Sequence, residues 1–233
     1  MRRVLLVVSL ISYCVGIAEG TVYFEDGETH NITWTINDNV HVYDDHWTGQ
    51  VTTVNVLEGG EISYSSSSGY SLYADDSSAV NVLGGSIGHL NARDNSIVTL
   101  SSGQIGFDLF ARDSSMVTVS GGAIGDNLHA QNSAIITVSG GSIGERIIAT
   151  GGGKITFKGR DFAINGQPVN FGTFDTGNYD WVEGWLTGIL ENGSILDNEF
   201  RIELDNSSIT LVPEPSTLLL LGLGGLMLRK NKC

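Results

Sequence analysis

Cysteine, proline and positive charge are all scarce in this chain, and each shortage excludes something. The 2 cysteines, Cys14 and Cys233, lie in the terminal segments, so the body between them has no disulfide and no thiol chemistry. Lys and Arg number 12 against 26 Asp and Glu, a net charge of −14. Phosphate backbones are bound by clustered basic side chains, so this balance argues against a nucleic-acid partner. A long apolar run is missing too. The stretch Leu218–Leu228 holds 11 residues, which as a helix reaches only about half of a ~30 Å hydrocarbon core. Helices are disfavoured throughout, because an interior Gly costs about 1 kcal/mol against Ala. With 31 Gly and 3 Pro, the composition suits short strands and tight turns.

What is present is a repeated phrase. "VLGGSIG" at Val82, "LSSGQIG" at Leu100, "VSGGAIG" at Val119 and "VSGGSIG" at Val138 belong to units starting at Val80, Val98, Val117, Ile136 and Ile155, spaced 18, 19, 19 and 19. An earlier unit starts at Val54 with an insert over 63–71, and Val40 ("VHVYDD") reads as the start of a more degenerate one. A fixed period near 20 marks a solenoid. Within a unit the apolar residues alternate, which is a strand period. Val117 and Val119 point inward and Thr118 outward, and Ile124, Leu128 and Ala130 add inward positions. Gly121-Gly122 form one corner, where Gly adopts positive φ without penalty. Asp94-Asn95, Asp113-Ser114 and Asn132-Ser133 form the next. One unit buries too few side chains to offset the ordering of its backbone, so units must stack at ~4.8 Å.

The pattern predicts an all-β fold, a single-stranded parallel β-helix over 40–165 with about 19 residues per coil. N-terminal capping strands are expected at 21–39. An antiparallel β cap is expected over 166–211, where Asn192-Gly193 is a hairpin signal. The coil resembles the right-handed helices of secreted bacterial adhesins and autotransporter passengers, and the resemblance implies the handedness.

Both ends read as addresses. Residues 1–20 ("MRRVLLVVSLISYCVGIAEG") have a basic start, an apolar stretch and small residues, the pattern of a secretory signal peptide. The alternative, an N-terminal anchor helix, has a short apolar run to work with. Bulky Tyr13 before Cys14 argues against a lipoprotein site. At the other end, Val212-Pro213-Glu214-Pro215 precedes the apolar run, which closes on Arg229, Lys230 and Lys232. This order closely resembles the PEP-CTERM sorting tail of exopolysaccharide-producing Gram-negative bacteria. The resemblance covers 212–233 and implies export, a short hydrophobic helix that anchors transiently in the inner membrane, and processing by a membrane-embedded exosortase near the motif. Tails of this class also carry the label "ice-binding protein C-terminal domain", which says nothing of what the body binds. Without both terminal segments the body keeps 7 basic and 24 acidic side chains, a net of −17.

Candidate chemistry is weighed against plain structural roles. Thr99, Thr118, Thr137 and Thr156 form an outward column that could face a ligand, as regular hydroxyl columns do in ice-binding solenoids; Asn55 and Asn81 interrupt it. Stacked outward Thr is equally what strand propensity favours. Ser101, Ser120 and Ser139 follow two residues later at the Gly corner. Asp76, Asp94 and Asp113, continued by Asn132 and Gly151, could hold Ca²⁺ through stacked carboxylates. Asp and Asn are also ordinary turn formers, and Arg93 and Arg112 stand where they can offset the repulsion. His30, His41 and His46 with Asp44-Asp45 form a weak metal cluster, and His89 and His129 fall in non-neighbouring coils. Tyr64, Tyr70, Tyr73, Trp181 and Trp185 are sugar-stacking candidates or simply loop and core. No residue stands out as catalytic.

The resulting expectation is an exported, non-enzymatic protein, structural or adhesin-like, at the cell surface or in an extracellular polysaccharide matrix. A carbohydrate-active β-helix enzyme (lyase or hydrolase type) is the alternative, and an ice- or surface-binding solenoid the third. No cofactor is expected, apart from the Ca²⁺ alternative.

Overall fold

Alternating valines give strands, and their recurrence every 18 or 19 residues lays strand upon strand. A computed structural model describes residues 21–62, 71–177, 179–203 and 206–214. They form 21 strands in one sheet that nearly closes on itself, with no helix among the described residues. The expected signal peptide, residues 63–70 of the insert and the hydrophobic helix of the tail lie outside the described residues. No helix among the described residues is long and apolar enough to cross a membrane.

The strands fall into levels. The first holds β1 (Val22–Phe24), β2 (Thr29–Ile32) and β3 (Thr35–Ile36); the second holds β4 (Val40–Val42), β5 (Thr53–Val56) and β6 (Glu61–Ile62). Four levels of two strands follow: β7 (Ser71–Ala74) with β8 (Ala79–Ile87), β9 (His89–Ala92) with β10 (Ile97–Ile105), β11 (Leu109–Ala111) with β12 (Met116–Ile124), and β13 (Leu128–Gln131) with β14 (Ile135–Ile143). The next level opens with β15 (Arg146–Thr150) and β16 (Lys154–Ile164). The chain ends in β17 (Gln167–Pro168), β18 (Gly172–Asp175), β19 (Trp181–Leu190), β20 (Ile195–Glu203) and β21 (Ser208–Pro213).

Three parallel ladders run through the levels. The first joins β2, β5, β8, β10, β12, β14, β16 and β21. The second joins β3, β6 and the last residues of β8, β10, β12 and β14. The third joins β1, β4, β7, β9, β11, β13, β15 and β20. Inward side chains repeat by type, so each level rests on its like: Val117 and Val119 from the first ladder, Ile124 from the second, Leu128 and Ala130 from the third are all buried.

Two expectations are corrected at the N-terminal end. Residues 21–39 are not a capping strand pair but a full level, because Ile32 and Ile36 point inward and β1, β2 and β3 each pair in parallel with the level above. Val40 pairs with Leu72 and so stands at the Leu-x-Ala position of the third ladder, not at a Val-x-Val start. V-H-V alternates in the same way at either place, so spacing alone could not separate them.

The segment 166–211 is antiparallel only in part. β16 runs past its corner and pairs antiparallel with β17 and β19, and β19 with β20. β20 and β21 then rejoin the third and first ladders in parallel, and β18 covers β21 from outside. Asn198 donates from Nδ2 to the carbonyls of Ile143 and Glu145, at 2.9 and 3.0 Å, closing the end of the second ladder. A covered end removes the unpaired rim that invites aggregation.

The glycines mark where levels approach most closely. Gly122 has φ of 76°, and a Cβ there would stand 2.9 Å from the Gly103 carbonyl oxygen of the level below. At Gly144 a Cβ would collide with the Gly125 carbonyl. Gly144→Ala is expected to cost about 3 kcal/mol by overpacking and to lower the melting temperature by roughly 6–12 °C. Gly193→Ala, with φ of 89° and nothing within 4 Å of the added carbon, should cost only about 1–2 kcal/mol. Thermal unfolding by circular dichroism compares the two.

Candidate functional site

The outward columns of the first and third ladders, the acidic corners, the terminal groove and the start of the tail are the surfaces on which chemistry could reside. In the first ladder the Thr column is longer and more orderly than its spacing suggested. Thr99, Thr118, Thr137, Thr156 and Thr210 are in register, and Thr173 on β18 lies beside Thr210 with the hydroxyls 3.0 Å apart. Asn31, Asn55 and Asn81 extend the same column below. Each amide donates to the one beneath, Asn81 to Asn55 at 2.9 Å and Asn55 to Asn31 at 2.8 Å. Ser101, Ser120 and Ser139 form no second rank, as their place at the Gly corner implied: the pairing register shifts on either side of Ser102 and Ser120, where the corner bends the face. Half-exposed Ile97, Met116 and Ile135 flank the Thr column instead.

The acidic corners are turns. Asp76, Asp94, Asp113, Asn132 and Gly151 all have φ between 54° and 59°, the left-handed region that short polar residues and Gly tolerate. Their side chains serve neighbouring corners: Asp94 Oδ2 accepts from the Asp76 amide at 3.3 Å, and Asn132 Nδ2 donates to Asp113 at 2.9 Å. Two residues on, Ser96 and Ser115 are buried and accept the amides of Arg93 and Arg112 at 3.0 Å. Partial burial, then the carboxylates of Asp44, Asp94 and Asp75, push the Asp76 carboxyl up. Among the described residues no group of three or more His, Cys, Asp or Glu is placed to hold a metal ion.

Arg93 and Arg112 turn to the third ladder rather than to the acidic corners. There Tyr23, His41, Tyr73, Asn91, Phe110 and His129 form an outward column. Rings stack along it, His41 on Tyr73 and Phe110 on His129 both at 4.4 Å, with Arg93 over Tyr73 at 4.5 Å and Arg112 over Phe110 at 4.8 Å. Because ring faces cover one another, most of this column offers edges to solvent and little surface for sugar stacking. Buried Asp75, which the sequence did not single out, takes His41 Nδ1 at 3.1 Å and Arg93 at 3.6 Å. His89 and His129, two levels apart, converge on Asp108 between them at 3.6 and 3.9 Å. His30, His41 and His46, at most a weak metal cluster by sequence, are dispersed. His30 pairs with Asp26 at 2.9 Å, His41 with Asp75, and His46 lies edge-on to Trp47.

Trp181 and Trp185 are surface residues of β19, on one face with Glu183 between them. Trp185 opens on a groove of about 500 Å³ lined by Asn127, Glu145, Arg146, Asp197 and Glu199. Its indole donates to Asp197, and Arg146 donates from Nε to Glu199 at 2.8 Å. Arg201 lies over Trp181 at 5.4 Å. Tyr64 and Tyr70 lie outside the described residues.

The tail begins inside the sheet. Val212 and Pro213 end β21, opposite Lys158 and Gly159 of β16, and Arg160 Nε lies 3.3 Å from the Glu214 carboxylate. A family model matches residues 211–231, and its description is the PEP-CTERM protein-sorting motif. The chain carries a PEP-CTERM motif. It spans the Val212, Pro213, Glu214 and Pro215 signature, the apolar run, and Arg229 with Lys230. Such a motif implies export to the envelope or surface of a Gram-negative bacterium and processing by an exosortase. No curated protein and no solved structure matches the chain.

Three outcomes follow for the body. Asp113→Val should cost about 1–2 kcal/mol, because a β-branched residue resists positive φ, whereas Asp113→Gly should be close to neutral. Millimolar Ca²⁺ should leave the melting curve of the parent unmoved; a Ca²⁺-dependent rise in the parent that is abolished in Asp113→Asn would make the corners a metal ladder. Burial, against the pull of Asp108 and with the help of Arg112, pushes the His129 imidazole down. Its neutral form therefore stabilises the fold fully above the unfolded value of about 6.5, and that contribution is lost as pH falls below it. Melting temperature should drop on acidification from pH 7.5 to 5.5, and drop less in His129→Phe, which keeps the stack on Phe110.

Proposed function

We propose that this chain is an exported, non-enzymatic structural protein, adhesin-like in build, sorted by its PEP-CTERM tail to the cell surface or the extracellular polysaccharide matrix. The three ladders are read as a right-handed parallel β-helix that forms a stiff acidic body. The apolar run Leu218–Leu228, closed by Arg229 and Lys230, is read from its sequence as the segment that holds the body at the inner membrane until an exosortase acts. The observation that carries this reading is the direct fusion of the sorting motif to β21, the last strand of the stack. In the terminal groove Asp197 serves Trp185 and Glu199 serves Arg146, which suits a fixed surface for glycan contact better than a reacting site. The alternative, a carbohydrate-active enzyme, would use the same groove and its three carboxylates, Glu145, Asp197 and Glu199. The in-register Thr column beside Ile97, Met116 and Ile135 favours the third reading, a surface-binding solenoid.

The test is fractionation of an exosortase-bearing host that expresses the full chain or the chain lacking residues 216–233. The full chain should reach the surface or matrix fraction and the truncated one should not. Equal distribution of the two would overturn the sorting reading. Purified surface protein should then co-sediment with the host's exopolysaccharide without generating reducing ends. Reducing ends that disappear in Asp197→Asn/Glu199→Gln would establish the enzyme instead.

A further inference from the structure

The sorting motif is not presented on a free linker. Residues 208–211 of β21 are held on both sides, by β16 and by β18, but the β18 pairing stops at Gly172 opposite Leu211. Val212 and Pro213 are held by β16 alone, opposite Lys158 and Gly159. Ser208 points its N–H to the Gly153 carbonyl on the β16 side, and by alternation Pro213 turns the other way, so it offers no N–H on the side where β18 has ended and that edge stays open where the motif begins. One residue on, Glu214 keeps only 17% of its side-chain exposure and lies 3.3 Å from Arg160 Nε. The same guanidinium donates from Nη1 to Asp161 at 2.8 Å, so its two arms are fixed between two carboxylates. Asp161 has φ of 55° at the register shift where β16 leaves its straight course, which places Arg160 beside the departing tail.

Length matters as much as contact. Four residues, 214–217, separate the end of β21 from the apolar run that opens at Leu218. Fully extended they reach at most about 14 Å. With the run in the bilayer, the folded body sits against the membrane face, and the motif lies between the two with its carboxylate already occupied. An enzyme embedded in that membrane must displace Arg160 and lift Val212 and Pro213 to grip the motif. Lifting these residues leaves the doubly held part of β21 in place, so the step does not require the body to unfold.

We propose that Arg160, with the singly paired Val212–Pro213 end of β21, is a latch that withholds the PEP-CTERM motif from the exosortase until that end peels away. The proposal rests on the sorting reading above. It makes Arg160 a regulator of processing rate and gives it no part in recognition by the enzyme.

The experiment is pulse–chase processing of the full chain in an exosortase-bearing host, with Arg160→Gln, Arg160→Lys and Asp113→Val beside the parent. A partly exposed ion pair of ordinary strength predicts tail removal about two- to fivefold faster in Arg160→Gln. Arg160→Lys, which keeps the charge and loses the two-armed grip, should fall between the parent and Arg160→Gln, whereas Asp113→Val, which destabilises the body far from the motif, should stay near the parent rate. Equal rates for Arg160→Gln and the parent would overturn the latch and leave sorting intact. Acceleration of Asp113→Val to the level of Arg160→Gln would overturn it as well, because general unfolding would then explain both. Failure of the parent to be processed at all would remove the sorting reading and the latch together.

Discussion

Everything in this body depends on like resting on like. A parallel ladder sets each residue directly on its counterpart one level down, about 4.8 Å away. The interior therefore has to be solved once, as Val-x-Val, Ile and Leu-x-Ala, and then repeated. The same rule constrains the glycines, since the carbonyls of one level occupy the space a Cβ would need on the next, as at Gly144 over Gly125. Stability in such a stack is shared between neighbouring levels, and no single level stands alone.

Stacking also decides which polar side chains are tolerable. A column of amides is favourable because each Asn both donates and accepts, as from Asn81 to Asn55 to Asn31. A column of carboxylates is not, and here it is diluted by Asn132 and Gly151 and used for backbone geometry. Cations are spent on the buried carboxylate and the aromatic column, where Arg93 meets Asp75 and Tyr73. The net negative charge therefore stays at the surface, where water screens it.

The repeat was legible because its period is strict. Alternating apolar residues that run into a Gly corner marked the Val98, Val117, Ile136 and Ile155 units in the sequence, and the structure pairs them in that register. The sorting tail was legible because its motif order is linear. What escaped were contacts between residues whose meeting depends on level counting rather than on spacing. His89 and His129 meet at Asp108 because one level lies between them, and β20 and β21 re-enter the ladders after a detour that breaks the period. The exposure of Trp181 and Trp185 was hidden for a related reason: alternation along β19 is the same whichever face is turned inward.

The detour has a consequence in time. Pairings between repeat levels span 18 or 19 residues, whereas those that finish the stack are longer, as in the contacts from Arg146 to Glu199 and from Gly152 to Ser207. Closing a longer loop delays a contact. A chain crossing a membrane from its N-terminus would thus have its levels assembled while the final strands are still outside, and β21 would be the last piece to seat. Whether the C-terminal end is seated then becomes a report on whether everything before it has folded, a checkpoint written into the order of the chain.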